Sequence, residues 1–202
     1  MLAAGYQTPD QLAADIAATR ALTDRPFGVN LFVPEDSERD EAALARYAAQ
    51  LGPDFARFGV ALPGPHWKDT DFWREKIPLL SSDPVPVVTF AFGLPSRGEV
   101  DLLRAVGSTL VGTATTPEEA HAAISLGLDA VVLQGPEAGG HRATHRVEDE
   151  PSGLPLAELL TAVRATTDLP LIAAGGISTP ERVRELLDAG ASLVQIGTAL
   201  VR

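Results

Sequence analysis

Six near-continuous apolar runs, at residues 27–33, 85–92, 109–113, 130–133, 171–174 and 193–196, alternate with segments of helical periodicity. That alternation leaves few folds open. A strand with apolar side chains on both faces must be covered on both, which is the mark of a parallel sheet flanked by helices and built from right-handed units. Three helical segments open alike, with Thr8-Pro9-Asp10, Thr116-Pro117-Glu118 and Thr179-Pro180-Glu181. In each, the threonine can cap free N–H groups, proline fits the first helical position, and the acid faces the positive end of the helix dipole. Gly127 and Gly190 end two of these helices before the next apolar run. Pro26, Pro84 and Pro170 precede strands, where a residue without an N–H does not break a ladder.

Two α/β architectures meet this pattern: a closed (β/α)8 barrel of the TIM type, and an open doubly wound sheet. The six runs and a stub at 1–5 give seven strands, and both ends of the chain stop at strands. An eight-unit barrel takes about 250 residues, so 202 is short for one. A hydrophobic fraction of 45% suits a single domain over 1–202. The long connection at about 52–83 reads as a helical excursion, with Trp67, Phe72 and Trp73 packed on the body.

Formal net charge is −11, from 27 acidic against 16 basic residues, and Lys68 and Lys76 are the only lysines. Such a surface argues against nucleic acid and anionic membrane as partners. With no cysteine, disulfides and thiol catalysis are excluded. No apolar run approaches the roughly 18 residues of a membrane span, and no signal pattern opens the chain, so the expected location is the cytoplasm.

The densest chemistry follows the fourth apolar run. Gln134-Gly135-Pro136-Glu137-Ala138-Gly139-Gly140-His141-Arg142 puts glycines, a carboxylate, an imidazole and a guanidinium into one loop. Gly139 and Gly140 let backbone approach a flat or anionic ligand, and His141 lies where a proton can be moved at neutral pH. Glu137 and Arg142 are placed to pair and shape the loop. His141 and His145 are four apart, but the glycines before them read as loop and no carboxylate stands between, which argues against a metal. His121 on a helix and His66 in the excursion read as solvated or packed.

The run 171–177 ends in Gly175-Gly176, and one unit later come Gln195, Gly197 and Thr198. Either motif alone could be a tight strand-to-helix turn. Together, one unit apart, they match the backbone phosphate site that barrels commonly build after their last two strands. Asn30 and Gln134 are amides near strand C-termini; each reads as a capping amide or as a ligand contact at the mouth of the sheet.

Taken together, 134–145 with its Glu-Ala-Gly-Gly-His-Arg core, Gly28-Val29-Asn30-Leu31-Phe32, 171–177 and 195–198 resemble the nitronate monooxygenases, formerly called 2-nitropropane dioxygenases. The likeness runs through the chain in order. It implies a TIM barrel holding FMN without a covalent bond, and oxidation of alkyl nitronates by dioxygen to a carbonyl compound and nitrite. His141 would be the catalytic base or would stabilise the anionic nitronate. Asn30, Gln134, Gly139 and Gly140 would contact the flavin, while Gly175, Gly176, Gln195, Gly197 and Thr198 would hold its phosphate and ribityl chain. FMN would carry the redox step, with the protein supplying orientation and electrostatics.

The family's first strand and helix have no counterpart in this chain, which starts in the equivalent of strand two and stops just after strand eight. The resemblance therefore implies an incomplete barrel, truncated at both ends. Its open edges would need partners, a homo-oligomer among them. The phosphate half of the flavin site is expected to be present and the isoalloxazine half incomplete. Two other readings stand beside this one: an FMN-dependent enoyl-acyl-carrier-protein reductase, similar at Glu-Ala-Gly-Gly-His and Ala-Gly-Gly-Ile, and a non-catalytic barrel remnant.

Overall fold

Seven parallel strands lie side by side in sequence order: β1 (Leu2–Ala3), β2 (Gly28–Phe32), β3 (Val87–Ala91), β4 (Thr109–Ala114), β5 (Ala130–Gln134), β6 (Leu171–Ala174) and β7 (Leu193–Gln195). A doubly wound sheet reverses its strand order at a switch point. This one never does, so it is the wall of an incomplete barrel, with β1 and β7 as its edges. The computed structural model describes residues 1–35, 40–62, 64 and 69–200. They divide into a larger unit, Met1–Glu35 with Thr70–Arg202, which holds the sheet, and a smaller one, Asp36–Asp69.

Side-chain alternation gives the sheet two faces. One carries Val29, Leu31, Val88, Phe90, Leu110, Val131, Leu133, Leu171 and Ala173. Against it pack Leu12 and Ile16 of α1 (Pro9–Leu22), Ile77 and Leu80 of α3 (Trp73–Ser82), and Val100 and Leu103 of α4 (Arg97–Ala105). Ala120 and Ala123 of α5 (Pro117–Leu126), Leu156, Leu159, Leu160 and Val163 of α6 (Leu156–Arg164), and Leu186 of α7 (Pro180–Asp188) complete this core. The other face holds a smaller apolar cluster of Val111, Ala130, Val132 and Ala174. By register and alternation, Asn30, Thr89, Thr113, Gln134 and Gln195 share that inner face. Polar groups therefore gather there toward the C-terminal ends of the strands.

The three Thr-Pro-acid starts are N-caps, with Thr8, Thr116 and Thr179 accepting from Gln11, Glu119 and Arg182 N–H groups. Gly127 ends α5 in the left-handed region at φ 86°, and Gly190 follows the last turn of α7 at φ 105°. The excursion expected at 52–83 divides differently. Helix α2 (Glu41–Arg57) starts earlier, capped by Asp40, and lies in the smaller unit, where none of its residues is buried. Helix α3 belongs to the larger unit. Its Trp73 is buried and donates through Nε1 to Glu99 at 2.6 Å. His66, Trp67 and Lys68 lie outside the described residues. Among the described residues no helix is long and apolar enough to cross a membrane.

Lys76 of α3 is fully buried. Its ammonium donates to the Ala4 carbonyl at 2.7 Å and pairs with Asp71 at 2.8 Å, while Asp71 also accepts the Tyr6 N–H at 2.7 Å. The turn after β1 is thereby tied to the start of α3. Removing one partner of a buried pair leaves the other charge uncompensated, at a cost of about 3–5 kcal/mol. Lys76→Met should lower the urea unfolding free energy by roughly that amount, and adding Asp71→Asn should restore part of it. A loss in the double variant equal to the sum of the losses in Lys76→Met and Asp71→Asn alone would show that the pair is not coupled.

Candidate active site

Every strand is parallel, so each loop that follows a strand opens on the same rim. The loop after β5 is bent back over that rim by Gln134, whose Oε1 accepts the buried Ala143 N–H at 2.8 Å and whose Nε2 donates to the His141 carbonyl at 3.2 Å. Its side chain thus anchors the loop and also lines the cleft described below. In place of the expected Glu137–Arg142 pair, each side chain has partners of its own. Glu137 accepts the Leu156 N–H at the start of α6 (3.1 Å) and faces Arg182 of α7 at 3.8 Å, while Arg142 donates to the Ser152 carbonyl at 3.0 Å. A carboxylate at a helix start satisfies an unpaired N–H and favours the dipole, which a loop arginine could not replace.

His145 pins the far end of the loop. Its Nε2 lies 2.7 Å from the Thr113 carbonyl, and its N–H donates to Glu119 at 2.7 Å. Among the described residues no group of three His, Cys, Asp or Glu side chains could hold a metal. Beyond it, the Val147 N–H reaches Glu35 at 2.8 Å. The hydrogen bond from Arg146 to Glu148, aided by the charges of Glu148 and Asp149, holds that exposed guanidinium above its ordinary pKa.

Beside this loop, Gly175 (φ 113°) and Gly176 (φ 63°) turn the chain out of β6. A Cβ at Gly175 would stand 2.9 Å from the Ala138 nitrogen, and one at Gly176 2.8 Å from Glu137 Cβ, so only glycine lets the two loops close on each other. Between them lies a cleft of about 480 Å³. Its walls include Gln134 and Gly139 from the β5 loop, Gly175, Gly176 and Ser178 ahead of α7, and Gln195, Gly197 and Thr198 from β7. Among the described residues, no acceptor of the chain takes the N–H of Gly176, Ser178 or Gly197. Free N–H groups beside the start of α7 are the donors an anion needs.

Seven of the residues singled out in the sequence thus meet in one cleft: Gln134, Gly139, Gly175, Gly176, Gln195, Gly197 and Thr198. Asn30, Gly140 and His141 stand outside its walls. Asn30 lies on the inner face of β2, where its Oδ1 accepts from the Thr89 hydroxyl at 2.8 Å. Its amide NH2 has no acceptor among the described residues. Gly140 is left-handed at φ 82° with open space around it. The His141 side chain is exposed on the same rim, its ring edge-on to Phe92 at 5.9 Å. Phe92 in turn meets Phe32 at 4.8 Å, and Phe32 meets Tyr6 at 5.5 Å. This aromatic row was not read from the sequence, and neither was Ser178. The available signals were the break at Phe92-Gly93 and a hydroxyl just before the Thr179 cap.

The nitronate monooxygenase family profile matches residues 1–202. The chain belongs to that family. Nitronate monooxygenase of Pseudomonas aeruginosa is 40% identical over 190 residues, covering 92% of this chain and 54% of that protein. Probable nitronate monooxygenase of Bacillus subtilis is 36% identical over 203 residues, covering 99% and 57%. In structure, nitroalkane oxidase from Streptomyces ansochromogenes superimposes with TM-score 0.92 at 45% identity, over 98% of this chain and 57% of that one. FabK from Thermotoga maritima reaches TM-score 0.69 at 24% identity, a likeness of fold alone. The chain spans little more than half the length of these nitronate monooxygenase relatives.

Gln134→Leu should test how the family's Gly-Gly-His loop is held here. The buried Ala143 N–H would lose its acceptor, at about 1–3 kcal/mol. Amide exchange at Ala143 should then accelerate roughly tenfold or more, with the β4 and β5 strand amides unaffected. Unchanged exchange at Ala143 would mean that the loop is held by other contacts.

Proposed function

We propose that this chain carries the nucleotide-holding part of an FMN-dependent nitronate monooxygenase, oxidising alkyl nitronates with dioxygen to a carbonyl compound and nitrite. One observation carries the reading: the glycine-lined cleft and the His141 imidazole open on one rim of the barrel wall. The cleft volume falls within the roughly 300–1,000 Å³ of small-ligand sites, and its unpaired N–H groups suit a phosphate.

Gly176, Ser178 and Gly197 would hold the phosphate of FMN, with Gln195 and Thr198 on the ribityl chain. Gln134, Gly139, Gly140 and Asn30 would lie toward the ring system. The flavin, when bound, supplies a reversible electron acceptor that passes electrons from the nitronate to dioxygen. Positioning and proton control fall to the protein. Among the described residues neither ring nitrogen of His141 has a partner, so it can take the α-proton of a neutral nitroalkane through one of them, or as imidazolium steady the bound anion. His145, whose ring and N–H are both spent on the fold, cannot substitute for it. Enoyl-thioester reduction on the same barrel has only the Glu-Ala-Gly-Gly-His and Ala-Gly-Gly-Ile likenesses and a shared fold in its favour. A cytoplasmic location and a homo-oligomer covering the sheet edges belong to the same proposal.

Two variants separate binding from chemistry. A side chain at Gly197 would meet nothing within 4 Å and would project into open cleft space. Gly197→Val should therefore keep the melting temperature while weakening FMN binding roughly tenfold or more, followed by quenching of flavin fluorescence. Unaltered affinity would remove Gly197 from the site. For the chemical step, the protein loaded with FMN should consume oxygen and release nitrite from ethylnitronate and nitroethane. His141→Asn should retain flavin and lose about 10²–10⁴-fold in kcat. Full turnover in that variant would overturn the role given to His141, and NADH consumption with an enoyl thioester in place of nitrite release would overturn the reaction.

A further inference from the structure

The chain continues from β3 into two consecutive residues of positive φ, Phe92 at 67° and Gly93 at 154°. Glycine is the natural occupant of such a backbone, and Gly93 is one: a Cβ there would press on Val33 at 3.1 Å. Phe92 is not. A bulky aromatic residue in the left-handed region is disfavoured and persists only where its surroundings repay the strain. At this position the ring is only half-buried, so core burial is a weak repayment. What the backbone conformation achieves is placement of the ring edge-on between Phe32 (4.8 Å, 80°) and the His141 imidazole (5.9 Å, 77°).

Phe92 is the one aromatic ring that meets the imidazole among the described residues. The backbone of His141 is held through its carbonyl by Gln134. Among the described residues no hydrogen bond reaches either ring nitrogen, in contrast to His145, whose ring is fixed by the Thr113 carbonyl. Catalytic histidines are commonly oriented by a carboxylate or carbonyl on the second nitrogen. Here an aromatic edge faces the imidazole, and among the described residues both nitrogens are open to a ligand.

We propose that Phe92 is a positioning residue for His141: its strained turn holds the aromatic ring that fixes the imidazole plane. This rests on the role given to His141 above. Phe92→Gly suits the test, because glycine adopts the same backbone without strain and deletes only the ring. Phe92→Tyr is the conservative control.

Two readouts on the full chain decide it. With ¹³C-labelled histidine, the Cε1–H and Cδ2–H signals of His141 are identified by their loss in His141→Asn. In Phe92→Gly they should move to positions expected of a freely rotating exposed imidazole, while those of His145 stay put, and Phe92→Tyr should restore them. In the FMN-loaded protein, Phe92→Gly should lower kcat roughly 10- to 100-fold with little change in KM, again restored by Phe92→Tyr. Unmoved His141 signals in Phe92→Gly would overturn the proposal, as would an unaltered kcat in Phe92→Gly beside a disabled His141→Asn. Failure of the underlying reading is distinguishable: full turnover in His141→Asn would remove the catalytic purpose of the positioning and overturn the proposal with it, whatever the NMR signals show.

Discussion

The strict parallel order of the strands is the constraint on which everything else depends. Because each strand pairs with its predecessor and runs the same way, every following loop emerges on one rim. Residues more than a hundred positions apart, such as Phe32 and His141, become neighbours of the same opening without any long-range device. The price of that order is a sheet that must be covered on its helix side, and the apolar alternation of β2 through β6 meets it with one continuous core.

On the rim, precision comes from polar groups satisfied locally. Gln134, Glu119 and Glu137 each hold backbone N–H groups of the loop or of an adjoining helix start, so a glycine-rich segment with little intrinsic stiffness adopts one path. Interactions of this kind cost little when made and much when broken, since a buried donor is then left without a partner. Glycine does the complementary work: at Gly175 and Gly176 the absence of Cβ lets two loops approach, and at Gly197 it leaves room in the cleft.

The strands and helix starts were legible because their signals are local. Continuous apolar runs, Thr-Pro-acid caps and terminal glycines each act within a few residues, and all three Thr-Pro caps are in place. The glycine motifs at 175–176 and 195–198 were legible for the same reason, and the parallel order then brings them together. Helix α2 was less so: Leu44, Ala48, Leu51 and Phe55 recur at helical spacing but none of its residues is buried, and the helix begins well ahead of the expected excursion. The partners of Glu137, Arg142 and His145 were hidden because they are set by loop packing. Nothing near Glu137 in sequence announces Leu156 or Arg182. The aromatic row from Tyr6 to His141 was invisible too, since four elements contribute one ring each. The chain's membership of the nitronate monooxygenase family follows from motifs in register across its whole length.

The central claim is that the glycine turns and the His141 loop surround one flavin nucleotide. Amide shifts of the ¹⁵N-labelled chain during FMN titration test it most directly. The account predicts saturable shifts at Gly176, Ser178 and Gly197 together with Gly139 and His141, and silence at the opposite end of the strands. Shifts confined to the N-terminal ends of the strands, or absent from the three glycine-turn amides, would contradict it.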